Sequence, residues 1–257
     1  MLWLDKKSLL NKLFFHLNKE CYYYSVFSNW IILVFLFFRQ KKFINYKKLI
    51  VSALSQILEH KIVAILRGMP PKDIEAIASA LHNGGIRILE VTLNSENALP
   101  VIEQLSHTFK GKMLIGAGTV LNAKGAANAI DAGAAFLISP SLDITVINTA
   151  KDAGVVSIPG AFTPTEILSA HNNGADIVKV FPTLNAEYIK NILAPLNHIR
   201  VMPTGGIDAG NIKLFAATGA VAFGIGSALV NSKAIINDNY LQELTVKANK
   251  LVDALNS

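Results

Sequence analysis

A lysine stands inside an apolar run at Gly174-Ala-Asp-Ile-Val-Lys-Val-Phe-Pro182, with Val178 and Val180 beside it and Ile177 and Phe181 two residues away on either side. A strand sends alternate side chains to opposite faces, so Lys179 shares its face with Ile177 and Phe181. Lysine is rarely buried without a partner. A free amine titrates near about 10.4, which leaves roughly one in a few thousand neutral near pH 7. Desolvation that lowers this value by about 3 raises the neutral fraction to roughly a third. A neutral amine attacks carbonyls, so one reading of Lys179 is a Schiff-base nucleophile. The other is a lysine whose ammonium leaves the strand end for water or pairs with a carboxylate.

Glu90 repeats the anomaly in Ile88-Leu89-Glu90-Val91-Thr92-Leu93. Alternation puts Ile88, Glu90 and Thr92 on one face and Leu89, Val91 and Leu93 on the other, packed under helices. A carboxylate and a lysine in one interior can serve as general base and nucleophile, or form a purely structural buried pair. Arg67 ends Ile62-Val-Ala-Ile-Leu-Arg67 in step with Val63 and Ile65. Its planar fork suits a substrate carboxylate or phosphate, and a solvated rim arginine is the alternative. Gly116-Ala-Gly-Thr119 reads as a tight turn with a hydroxyl at its end; Leu121 at the third glycine position rules out a dinucleotide fingerprint. Thr204-Gly205-Gly206 and Gly224-Ile-Gly-Ser227 close two later strands. Glycines there let backbone N–H groups converge on an anion, and Ser227 is placed to open a short helix that adds its dipole.

These residues need elements to hold them. A phrase recurs along residues 49–257: helix end, then glycine, then an apolar run, as at Asn83-Gly84-Gly85, Ala132-Gly133, Ala153-Gly154, Asn173-Gly174 and Thr218-Gly219. Glycine just past a helix is the expected left-handed stop. Apolar runs after short loops read as buried parallel strands. The strands are Ile62–Leu66, Ile86–Leu93, Leu114–Gly116, Phe136–Ile138, Val155–Ile158, Ile177–Val180, Ile199–Met202 and Val221–Ile225. Helices fall between them, among them one beginning at Thr163-Pro164-Thr165-Glu166, with a threonine cap, and another at Asp208–Ala217. An amphipathic helix over Leu49–Leu58 precedes the first strand. Eight strand–helix units in one domain predict an α/β fold, a (β/α)8 TIM barrel, with an open doubly wound sheet as the alternative. Pro140, Pro159, Pro182 and Pro203 mark where strands leave the sheet, on the one rim where barrel active sites are built.

Composition sets limits. Of 257 residues 51% are apolar and 16% charged, enough for a sizeable core. The formal charge of +6 is concentrated in residues 1–48, which hold nine Lys/Arg against two Asp/Glu. The remainder, residues 49–257, is near neutral, so no basic face for nucleic acid is expected. One cysteine, Cys21, excludes an internal disulfide and a cysteine-rich zinc site, and six scattered histidines point to no metal centre. Residues 1–48 form a hydrophobic, basic extension. Its apolar run, Tyr22–Phe38, would span roughly 25 Å as a helix against a hydrocarbon core of about 30 Å. No signal-peptide cleavage pattern follows. The two readings are a segment foreign to the domain, such as a spurious upstream start in an AT-rich gene, and a weak membrane segment that would leave the main body cytoplasmic.

Taken together, these phrases resemble the class I aldolases of the bacterial KDPG/KHG aldolase family, which cleave 2-keto-3-deoxy-6-phosphogluconate. The phrases are Val63-Ala-Ile-Leu-Arg67, Leu89-Glu-Val-Thr-Leu93, Gly116-Ala-Gly-Thr-Val-Leu121, Ile138-Ser-Pro-Ser141, Ile158-Pro-Gly160, Val178-Lys-Val-Phe-Pro182, Pro203-Thr-Gly-Gly206 and Gly226-Ser227. They run in the family's order over about residues 57–252; the extension has no counterpart. The resemblance implies that Lys179 forms the Schiff base and Glu90 moves the protons, with no cofactor. Thr119 and Pro140 would line the pyruvate pocket, Phe181 would pack beside it, and Gly205, Gly206 and Ser227 would hold the phosphate. Many members carry an arginine four residues after the glutamate, where this chain has Asn94; carboxylate binding therefore falls to Arg67. Thr204 before the two glycines favours the gluconate-derived substrate over its galactonate-derived epimer. The products would be pyruvate and D-glyceraldehyde 3-phosphate, within the Entner–Doudoroff pathway, with 4-hydroxy-2-oxoglutarate as a further substrate. The resemblance also implies a cytoplasmic homotrimer. Competing readings are the galactonate-type aldolase and another phosphate-binding barrel, an epimerase or synthase.

Overall fold

The structure, a computed structural model, describes residues 53–257. The extension and the first residues of the leading helix lie outside the described residues. Residues 53–60 form that helix, α1. Strand β1 (Ile62–Leu66) follows, then a 3-10 turn at Pro71–Asp73, α2 (Ile74–Asn83), β2 (Ile88–Thr92), α3 (Ala98–Thr108) and β3 (Leu114–Gly118). Next come α4 (Ala123–Asp131), β4 (Phe136–Ile138), α5 (Ile144–Ala153), β5 (Val156–Ile158), β6 (Gly160–Ala161) and α6 (Pro164–Asn172). The chain ends with β7 (Val178–Val180), α7 (Ala186–Leu193), β8 (Val201–Pro203), α8 (Ile212–Ala216), β9 (Phe223–Ile225) and α9 (Asp238–Asn256). Among the described residues no helix is long and apolar enough to cross a membrane.

The fold is α/β with parallel strands. A six-stranded sheet runs β5-β4-β3-β2-β1-β9 and a three-stranded sheet runs β6-β7-β8, with every ladder parallel. A single parallel bridge, Thr204 to Gly224, joins β8 to β9, and Val221 N–H donates to the Val201 carbonyl at 3.0 Å beside it. Strand alternation sorts the core into two faces. Ala64, Leu66, Leu89, Val91, Ile115, Leu137, Val178, Val180, Val201 and Phe223 pack with helix residues in one cluster. Val63, Ile88, Leu114, Phe136, Ile138, Val156, Ile158, Ile177, Met202 and Ala222 form the other, to which α1 contributes Ala53 and Ile57. Both sheets share this second, interior cluster.

Three expectations are corrected by the structure. Pro159 does not mark an exit to the rim. The fifth strand is cut there into β5, which pairs with β4, and β6, which pairs with β7. Proline offers no N–H to a ladder, but its carbonyl still accepts from Lys179 N–H at 2.9 Å, so the residue passes the strand from one sheet to the other. Pro203 does close its strand, as the last residue of β8, opposite Val180. The Gly116-Ala-Gly118 phrase is strand, not turn: Gly116 and Gly118 pair with Glu90 and Thr92. Both glycines serve close approach, since a Cβ at Gly116 would stand 2.5 Å from ring carbons of Phe136. Finally, α8 begins at Ile212 rather than Asp208, because Asp208 Oδ1 accepts from Gly210 N–H at 2.8 Å and Asn211 N–H at 3.2 Å and makes an Asx turn instead.

Helix entry follows the chain's own chemistry. Thr163 and Glu166 close a capping box on α6 with Pro164 in its first turn. Asn122, Asp143, Asn185 and Asn237 cap α4, α5, α7 and α9 with side-chain oxygens; such caps contribute about 1 kcal/mol each.

The layer under the site is close-packed at Gly116 and Phe136. Gly116→Ala is expected to destabilise the protein by about 1–3 kcal/mol through overpacking. Urea unfolding checks this as a lower midpoint at unchanged slope; an unchanged midpoint would mean that Phe136 gives way and that the layer is loose.

Candidate active site

Lys179 is the middle residue of β7, set between Gly160 of β6 and Met202 of β8, and only 3% of its surface is exposed. Glu90 is the middle of β2, set between Ile65 of β1 and Gly116 of β3, and is 0% exposed. Alternation therefore turned both inward, as their spacing predicts. Neither Glu90 oxygen has a hydrogen-bond partner. Buried polar atoms are nearly always paired, and a bare carboxylate in an apolar interior asks for a function.

A cavity of about 430 Å³ opens at the C-terminal ends of the strands. Arg67, Lys179, Phe181, Thr204, Gly205, Gly206 and Ser227 line it, together with Ile65, Gly224, Gly226 and Ser232. Three expected residues are not on its wall: Glu90, Thr119 and Pro140. Glu90 is fully buried, whereas Thr119 and Pro140 are half-buried. The Glu90 carboxyl occupies the space where Gly118 lacks a Cβ, and Thr119 follows directly. The Pro140 backbone occupies the space where Gly160 lacks one, and Gly160 pairs with Lys179. Thr119 adopts a positive φ of 54°, which a β-branched residue takes only under local constraint.

The electrostatics follow from burial. Desolvation pushes the Lys179 amine below the ordinary lysine range, and the Arg67 charge adds to this, while Glu90 opposes it. Desolvation pushes the Glu90 carboxyl above the ordinary range against the pull of Lys179 and Arg67. The two groups thus move toward each other, the pattern that fits an amine and a carboxyl for nucleophilic and proton-transfer work near neutrality. The Lys179 amine sits 4.8 Å from the centroid of the Phe181 ring, a cation–π contact when protonated.

The far wall of the cavity is backbone. Gly205 and Gly206 have φ of 103° and 69°, open only to glycine without strain. The Gly206 carbonyl is held by Asn211 Nδ2 at 2.8 Å. Ser227 does not open a helix: it lies in a turn where the Leu229 and Val230 N–H groups donate to the Gly226 carbonyl at 2.9 and 3.0 Å. The expected helix dipole is therefore absent there, and the backbone of the two glycine turns is what faces the cavity. Among the described residues no three His, Cys, Asp or Glu side chains gather as a metal-binding group.

Sequence reasoning missed Gly118, Gly160 and Asn211. The first two were legible only as glycines inside strands, the usual sign of close approach; Asn211 gave no signal, because its role depends on a turn that Asp208 creates.

Comparison with known proteins places this arrangement in a family. The family model for KDPG and KHG aldolase matches residues 54–246. A probable 2-dehydro-3-deoxy-6-phosphogalactonate aldolase of Rhizobium meliloti is 37% identical over 175 residues, covering 67% of this chain and 82% of the relative. A 2-dehydro-3-deoxy-phosphogluconate aldolase of Haemophilus influenzae is 32% identical over 190 residues, covering 73% and 89%. Among solved structures, a KDPG aldolase of Legionella pneumophila, with pyruvate captured as a covalent carbinolamine intermediate, superposes with a TM-score of 0.69 at 27% identity, covering 77% of this chain and 97% of that one. The chain belongs to the KDPG and KHG aldolase family.

Proposed function

We propose that this protein is a class I aldolase that cleaves 2-dehydro-3-deoxy-6-phosphogluconate to pyruvate and D-glyceraldehyde 3-phosphate, and 4-hydroxy-2-oxoglutarate to pyruvate and glyoxylate. One observation carries the reading. A lysine 3% exposed reaches the cavity wall, and a fully buried glutamate with no hydrogen-bond partner faces the same interior and acts on the lysine's charge. The two sheets are then arcs of one closed (β/α)8 barrel, supported by the Thr204–Gly224 bridge on one seam and the Lys179-to-Pro159 hydrogen bond on the other. Residues 49–257 are the catalytic unit and residues 1–48 an extension to it. The family resemblance adds a cytoplasmic homotrimer in the Entner–Doudoroff pathway.

In this mechanism the neutral Lys179 amine adds to the C2 carbonyl, and Glu90 returns a proton to the departing hydroxyl as the carbinolamine loses water to become an iminium. Glu90 then takes the proton of the C4 hydroxyl. The C3–C4 bond breaks, its electron pair flows into the iminium to give an enamine, and the aldehyde leaves. Protonation at C3 and hydrolysis release pyruvate and restore the amine. Arg67 holds the substrate carboxylate beside Lys179, while Thr119 and Pro140 frame the pyruvate end and Phe181 covers it. The Gly205, Gly206 and Ser227 turns take the phosphate through neutral N–H and O–H donors.

A second reading concerns only the sugar. The 37% identical relative carries a galactonate-type name. Thr204 is buried in the cavity wall, where its hydroxyl donates to the Met202 carbonyl at 3.5 Å, and a hydroxyl-bearing residue before the two glycines supports the gluconate-derived epimer. Pyruvate release from the two C4 epimers, measured side by side, is expected to be faster for the gluconate-derived acid; equal or reversed rates would transfer the assignment to the other sugar.

Incubation with pyruvate and borohydride is expected to leave a stable adduct on Lys179 and none in Lys179→Met. Because the free base is the nucleophile and burial depresses its proton affinity, the trapping rate should rise with pH and level off below the ordinary lysine value of about 10.4. Folded wild-type protein that takes no label would end the aldolase reading. Glu90→Gln, which keeps the shape but not the proton, is expected to lower kcat by about 10²–10⁴-fold, read by steady-state pyruvate release; turnover like wild type would move the proton work to another group.

A further inference from the structure

Arg67, an exposed residue at the cavity mouth, stands one residue past the last paired position of β1, where Leu66 meets Val91. Its strand ladder does not reach it. Two hydroxyls from the neighbouring strand and its loop hold the backbone of the residues on either side of it. Gly68 N–H donates to Ser95 Oγ at 2.9 Å, Ser95 Oγ and Thr92 Oγ1 are 2.9 Å apart, and Thr92 Oγ1 lies 3.5 Å from the Leu66 carbonyl. Only one direction of donation satisfies all three contacts. An amide can only give and a carbonyl can only accept, so Ser95 gives its proton to Thr92 and Thr92 gives its own to Leu66. Each hydroxyl then accepts once and donates once.

The relay starts on the residue after Arg67 and ends on the residue before it. It is anchored as well. Thr92 is fully buried as the last residue of β2, and Ser95 N–H donates to the Thr92 carbonyl at 2.9 Å. Gly68, with φ of 64°, turns the chain away as soon as Arg67 has passed, and the amide exposed by that turn is the one Ser95 holds. The same β2 strand carries Glu90 two residues before Thr92.

We infer that Ser95 is a positioning residue for the reaction: together with Thr92 it fastens the backbone on both sides of Arg67 to the strand that bears Glu90. The guanidinium that binds the substrate anion and the carboxyl that moves its protons thereby share one rigid mount. Ser95 itself touches no substrate. This inference rests on the aldolase reading and on Arg67 as its anion-binding residue.

The test is steady-state kinetics on the full chain with 2-dehydro-3-deoxy-6-phosphogluconate, for wild type, Ser95→Ala, Ser95→Thr, Arg67→Ala and the Ser95→Ala/Arg67→Ala double variant. Ser95→Ala is expected to raise KM roughly five- to tenfold with kcat within about twofold of wild type. Ser95→Thr, which keeps the hydroxyl, should restore KM. In the Arg67→Ala background, Ser95→Ala should add less than about twofold, because a residue that acts through Arg67 has nothing left to position. An unchanged KM in Ser95→Ala, no rescue by Ser95→Thr, or a full multiplicative effect on top of Arg67→Ala would each overturn the inference. Pyruvate–borohydride labelling of wild type separates the two levels: no label removes the aldolase reading, whereas intact labelling with multiplicative Ser95 effects removes only the role of Ser95.

Discussion

The structure depends on taking an amine and a carboxyl out of water without letting them cancel each other. Both Lys179 and Glu90 are essentially inaccessible, and no hydrogen bond satisfies the carboxyl. A buried ion pair is at best a weak stabiliser, because desolvation of both charges offsets their attraction. What keeps this pair in place is the apolar layer beneath it. Val63, Ile88, Phe136, Ile138, Ile158, Ile177 and Met202 fill the interior, and α1 adds Ile57. That layer excludes water from below, and the dryness it creates is the largest influence on both proton affinities. The amine is made less basic and the carboxyl less acidic by the same cause.

Room for such groups comes from side chains that are missing. The Glu90 carboxyl sits where Gly118 has no Cβ, Thr204 crowds against Gly224, and the Pro140 backbone crowds against Gly160. Each glycine lies on a strand or at its edge, where it forfeits some strand stability. The return is geometric: the bulk of one strand fills a vacancy on its neighbour, in register for Thr204 and Gly224 and two residues along for Glu90 and Gly118, so the group is held against backbone rather than by flexible side chains. Positioning of this kind needs no hydrogen bonds to the carboxyl, which leaves its oxygens free for substrate protons.

Much of this was legible in the sequence because alternation is strict. Ile177-Val-Lys-Val-Phe181 and Ile88-Leu-Glu-Val-Thr92 each admit one assignment of faces once the leucines and valines must pack under helices. The capped helices were legible for the same local reason, as the Thr163–Glu166 box illustrates. What failed to show was long-range. Nothing local to Ile158-Pro-Gly160 says that the strand changes sheets at Pro159, since that depends on which neighbour has N–H groups to offer. The glycines of β3 looked like a turn because glycine breaks strands in general, and only the ring of Phe136 and the carboxyl of Glu90 explain them. Asp208 reads as the start of a helix, but its carboxylate accepts from the Gly210 and Asn211 N–H groups and makes a turn instead. Ser95 and Asn211 carried no signal at all, because each acts on a loop that other residues bend into its reach.

The division between charged and neutral anion binding also follows from the dry lysine. Under the aldolase reading the substrate brings a carboxylate and a phosphate to the mouth of an interior whose burial lowers the proton affinity of an amine. Every negative charge set near Lys179 stabilises its ammonium and removes nucleophile; every positive charge does the opposite. Arg67 lowers the proton affinity of Lys179 in the free protein, and a carboxylate paired with its guanidinium adds little net charge close to the amine. At the phosphate end a second arginine is not needed for that balance. The neutral donors of the Gly205–Gly206 and Gly226–Ser227 turns bind an anion through oriented dipoles. A charged side chain there would also bear a desolvation cost within a cavity that already holds the buried Lys179. The distribution found, one guanidinium and two glycine turns on the wall of one cavity, is thus the one that keeps a buried lysine reactive while it holds a substrate with two anionic groups.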